Sequence, residues 1–145
     1  MAERPALEQV WPELVSDVCA QAGTDRAAGM IRDHVRDFPD RPFFQYVAFT
    51  APHWPLHALP EDIEKYLGKY MIGWDSVRIQ RYSRMKEMGI LDPGWNLSER
   101  DSIVPAWSDI PDEEKPMWDR RMAVYAAMID RLDQNIGKVM KTLKE

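Results

Sequence analysis

The run Phe43-Phe44-Gln45-Tyr46-Val47-Ala48-Phe49-Thr50 constrains the fold more than any other stretch of this sequence. It has strand length and is almost continuously aromatic or β-branched. Such a run predicts a strand buried on both faces, as in a parallel sheet covered by helices. A helix is expected just ahead of it, capped by Thr24 and reaching Arg36. Ala27, Met30, Ile31, His34 and Val35 recur there at spacings of three and four, with Arg26, Arg32, Asp33 and Arg36 on the wet side. A helix feeding a buried strand is half of an α/β repeat, and the sequence supplies no other strands to complete the sheet. The expectation is a piece of a larger α/β fold.

Beyond the strand, Ala51-Pro52-His53-Trp54-Pro55-Leu56-His57-Ala58 carries two prolines that remove backbone donors and turn the chain into a loop. Ligands of α/β folds bind in loops past the carboxyl ends of strands, so His53 stands where a site is expected. Pro60, Glu61 and Asp62 open a short helix to about Lys69, and a charged helix is predicted from Ser76 to Met88. From Gly89 to Pro111, turn residues and scattered tryptophans read as a long irregular excursion stapled by aromatic rings.

The last element is the most regular. Asp112, Glu113 and Glu114 stand at its start and Lys138, Lys141 and Lys144 at its end, as the helix dipole favours. Between them Met122, Tyr125, Ala126, Ile129, Leu132, Ile136, Val139, Met140 and Leu143 keep the helical period, and Pro116 places the start close to Lys115. Pro5 to Ala20 gives only a weak helical pattern.

The net charge of -5 lacks the basic footprint of a nucleic-acid binder. No apolar run approaches the roughly 20 residues that span a bilayer, and the start of the chain, with Glu3, Arg4 and Glu8, shows no signal peptide. Neither nucleic acid nor membrane is therefore an expected partner. Cys19, the only cysteine, excludes an internal disulfide and reads as a semi-buried small hydrophobe.

Two segments carry a family resemblance: residues 44–58, from Phe44 through His53 to Ala58, and residues 122–137, Met122-Ala123-Val124-Tyr125 through Asp130-Arg131-Leu132-Asp133-Gln134-Asn135-Ile136-Gly137. They resemble bacterial arylsulfatases of the formylglycine-dependent type I sulfatase family. Tyr66-Leu67-Gly68-Lys69-Tyr70, Gly73-Trp74-Asp75 and the stretch from Arg78 to Gly89 are similar to the same family, as is the passage from Thr24 to Phe44. The resemblance runs from about Ser16 to the end and leaves residues 1–15 outside it.

It implies a partial alkaline-phosphatase-like α/β fold for residues 1–145, helix-rich, with one buried strand and a long C-terminal helix. It also implies sulfuric ester hydrolysis, aryl sulfate to phenol plus sulfate, with a calcium ion and a formylglycine nucleophile in the intact enzyme. His53 matches the family's sulfate-contacting histidine. An imidazolium there can donate to an anionic ester and, when protonated, assist departure of the leaving group.

The remaining family motifs have no match. Cys19-Ala20-Gln21-Ala22-Gly23 departs from the modification motif, which needs Pro or Ala at its third position and Arg at its fifth, and neither an Asp-Asp nor an Asp-Asn pair occurs for the metal. The chain is thus expected to bind a sulfate ester only when completed by the missing segments, to be inactive alone, and to self-associate through exposed apolar faces. Two alternatives stand beside this reading: a noncatalytic helical binding module on the same scaffold, and a phosphate or phosphonate ester hydrolase of the same superfamily. His57 reads as a partly exposed structural histidine and His34 as core. Asp130, Arg131, Asp133, Gln134 and Asn135 read as a solvated helix face rather than a site.

Overall fold

The computed structural model describes residues 17–145, with side chains from Gln21 onward. The weak helical pattern between Pro5 and Ala20 lies mostly outside the described residues, and so does the Cys19 side chain. Among the described residues there are four α-helices and a 3-10 turn: α1 (Asp17–Asp37), α2 (Pro60–Glu64), α3 (Trp74–Glu87), the turn at Trp107–Asp109, and α4 (Lys115–Thr142). They divide into two units, one made of residues 17–65 together with Val124–Glu145, the other of Tyr66–Ala123.

In the first unit, α1 already includes Asp17, so Thr24 is not its cap; it lies inside the helix and is completely buried. Small side chains build this core. Ala27, Ala28 and Ile31 of α1 and Ala126, Ala127 and Met128 of α4 are buried, which suits close approach of helix backbones. Arg32 of α1 reaches the end of α4, donating to Thr142 Oγ1 at 3.2 Å and to Glu145 at 2.9 Å.

His34 does not enter this core. Half-buried, its Nε2 lies 2.9 Å from the Arg41 carbonyl, and its ring packs against Phe38 and Phe43 at centroid distances of 5.7 and 5.2 Å. The histidine thereby ties the end of α1 to the chain that follows it.

The buried strand expected at residues 43–50 is not present: no strand occurs among the described residues. Among the described residues, residues 43–49 make no backbone–backbone hydrogen bond. Gln45, Val47 and Phe49 are half-buried, and Gln45 donates to the Ala27 carbonyl at 3.4 Å; Phe44 and Tyr46 on the other face are 93% and 82% exposed. A β-ladder needs a neighbouring strand to take its amides and carbonyls, and no described segment supplies one. α4 shows a similar pattern. Its helix matches the period read from the sequence, yet Ile129, Ile136 and Met140 remain exposed while Ala126, Ala127 and Met128 are buried.

The second unit is stapled by tryptophans, as the excursion predicted. Trp74 meets Trp107 and Trp118 edge to face, at centroid distances of 4.7 and 5.8 Å, and donates from Nε1 to the Pro105 carbonyl. Gly73, at φ +84°, precedes α3; a Cβ there would fall on the Trp107 indole, so the turn requires glycine twice over. Asp119, 5% exposed, accepts from the backbone amides of Gly68 and Tyr70 at 2.7 and 2.8 Å and holds the turn after α2 against α4.

Candidate functional site

His53 sits in the loop that leaves the extended segment. Two X-Pro peptides that bracket it, Ala51-Pro52 and Trp54-Pro55, are cis. Its backbone amide donates to the Thr50 carbonyl at 2.9 Å, which turns the chain, and its ring Nδ1 lies 2.6 Å from the Trp54 carbonyl. A carbonyl only accepts, so Nδ1 carries the proton. Nε2 is then an acceptor when the ring is neutral and a donor when it is protonated. The side chain is exposed, and Trp54 beside it is 74% exposed. This arrangement presents one nitrogen of an orientated imidazole to a group arriving from outside.

The far end of the loop is fastened by a charge cluster that the sequence did not reveal. Asp62, in the first turn of α2, is 1% exposed. It receives the Arg131 guanidinium from α4 at 2.6 and 2.8 Å and the Lys65 ammonium at 2.7 Å. Lys65 also reaches Asp130 at 3.1 Å, and Glu61 stands 3.8 Å from Arg131. The hydrogen bond to Asp62, and then that to Asp130, holds the Lys65 ammonium above its ordinary pKa.

The expected solvated face of α4 is therefore corrected at three positions, the half-buried, Lys65-paired Asp130 among them. Arg131 is half-buried in this cluster, and Asn135 is fully buried, with no partner for its side-chain amide among the described residues. An acidic residue in a first helical turn satisfies the dipole equally well exposed or buried, so the pattern alone did not distinguish the two cases.

His57 is half-buried and engaged with its surroundings. Asp130 and Asp133 do not converge, because Asp130 serves Lys65 and Gln134 while Asp133 faces solvent. Calcium needs six to eight oxygens around one point. Among the described residues no group of three or more Asp, Glu, His or Cys side chains is placed to hold a metal ion, so they do not fit the calcium ion that the resemblance implies. The second unit has an open hollow of about 570 Å³, whose cations are already committed: Arg78 to Ser98 at 2.6 Å and Arg100 to Asp75 at 3.1 Å.

Comparison with known proteins adds to this geometry. The sulfatase family model matches residues 8–145. An uncharacterised sulfatase of Schizosaccharomyces pombe is 42% identical over 103 residues, which are 70% of this chain and 19% of that protein. An arylsulfatase of Klebsiella aerogenes is 38% identical over 106 residues, 73% of this chain and 23% of that protein. The chain spans about a fifth of the length of these relatives.

Proposed function

The chain belongs to the sulfatase family, and from that premise we propose that it supplies the sulfate-contacting histidine, His53, to a centre that hydrolyses sulfate esters. The observation that carries this reading is the fixed imidazole in the loop after residues 43–50. Nδ1 is held by the Trp54 carbonyl and the ring is exposed, so Nε2 is the atom left to meet substrate. Protonated, it donates to a sulfate oxygen, where charge accumulates as the S–O bond to the leaving group breaks. The same proton can pass to the departing phenolate, so that phenol leaves and the ring becomes neutral. The Asp62 cluster supports the role by anchoring the end of the loop to α4, where Arg131 Nε and an Arg131 terminal nitrogen both donate to one oxygen of Asp62.

Nucleophile and metal belong to segments outside this chain in the proposed enzyme, so the 145-residue chain alone turns over no aryl sulfate. In a complete sulfatase polypeptide carrying this stretch, His53→Ala lowers aryl sulfate turnover by two or more orders of magnitude. That is the scale of losing one charge-stabilising donor, about 3 kcal/mol. Turnover like that of the unsubstituted enzyme rejects the assignment, and hydrolysis by the purified chain alone rejects the division of the site. Parallel assays of an aryl phosphate and an aryl phosphonate decide the ester class.

A further inference from the structure

Resting on the sulfate-ester reading of His53, we infer that the Trp54 indole is the platform for the aromatic part of the substrate, so that this loop selects aryl sulfates with an uncharged leaving group. Trp54 stands apart from the tryptophans that hold the second unit together. Trp74 meets Trp107 and Trp118 edge to face. The Trp54 indole, 74% exposed, makes no ring contact and no hydrogen bond among the described residues. Loop stapling accounts for those three rings and leaves this one without a structural task.

The adjoining histidine selects the occupant. His53 Nδ1 is held by the Trp54 carbonyl at 2.6 Å, which folds the imidazole back over residue 54 and ties Nε2 to this point of the chain. A phenolate oxygen that takes its proton from Nε2 lies within roughly 3 Å of that nitrogen. The aryl ring begins at the next atom, within the reach of a side chain as long as that of residue 54, and an indole face or edge is a favourable partner for it. Charge narrows the class. Asp, Glu, Lys and Arg make up 30% of the chain, yet residues 42–60 contain none of them. Lys65 and Arg131, beyond the end of the loop, are taken by Asp62. The loop therefore holds no fixed charge to pair with a second sulfate or a carboxylate elsewhere on the ester.

A complete sulfatase polypeptide carrying this stretch tests the assignment. An indole that holds the ring equally before and during S–O cleavage contributes uniform binding, which is read in KM and not in kcat. Trp54→Ala and Trp54→Leu therefore raise the KM for an aryl sulfate about tenfold, with kcat changed by less than about threefold, while Trp54→Phe keeps KM within about threefold. The backbone carbonyl that holds His53 is present in every variant. Inorganic sulfate carries no ring, so its inhibition constant stays that of the unsubstituted enzyme in all three. His53→Ala behaves differently, lowering kcat and weakening sulfate inhibition as well, so failure of the His53 reading and failure of this one give separate results. An unchanged aryl sulfate KM in Trp54→Ala, equal weakening of aryl sulfate and inorganic sulfate, or full replacement of the indole by leucine overturns the proposal.

Discussion

Tyr70 lies where burial and the neighbouring Asp119 carboxylate both favour the neutral phenol, so its pKa is pushed above the ordinary 10.0. Because the folded value exceeds the unfolded one, this contribution to stability is complete below pH 10.0 and is lost as pH rises through the folded value. Tyr70→Phe removes that loss, and its melting temperature falls less steeply with pH on the alkaline side. The raised Lys65 is common to both proteins and cancels in the comparison. Identical alkaline slopes would contradict the placement of Tyr70. At this scale the sequence marked His53 by its position after a strand-like run, and the structure adds what fixes the ring, the Trp54 carbonyl. The burial of Asp62 and Asn135 was not legible, because a polar residue on a helix has the same local pattern whether it meets water or another element.

α2 has five residues, too few to be stable by themselves, and its place is set by tertiary contacts. Asp62→Ala leaves Arg131 half-buried beside the more distant Glu61. Breaking such a pair costs roughly 3 kcal/mol, readable as a lower urea midpoint and faster amide exchange at residues 60–65. Asp133→Ala, at an exposed position of α4, stays within about 0.5 kcal/mol. Equal effects of the two substitutions would show that the cluster contributes nothing. Among the elements, α3 and α4 were legible to within two residues, because charge placement and apolar period act along one helix. The Thr24 cap failed because the helical stretch extends upstream of it. The strand failed for a different reason: its propensity is local, whereas its hydrogen bonds belong to a neighbour.

Across the chain as a whole, apolar surface is left open on several elements: Phe44, Tyr46, Trp54, Ile129, Ile136 and Met140 are all at least 39% exposed. Among the described residues no helix is long and apolar enough to cross a membrane. Surface of this kind binds hydrophobic dyes. The native chain is therefore expected to enhance the fluorescence of a dye such as ANS before any thermal unfolding. A dye signal that appears only at the melting transition would contradict this exposure.

The sequence by itself determined the family, α3, α4 and the histidine loop, because these reside in motifs, periods and prolines read along one stretch of backbone. Only the tertiary structure decided which carboxylate is buried, which face of α4 is covered, and that residues 43–49 pair with no described segment. Burial and strand pairing depend on what another part of the chain brings alongside, and a local pattern holds no record of that neighbour.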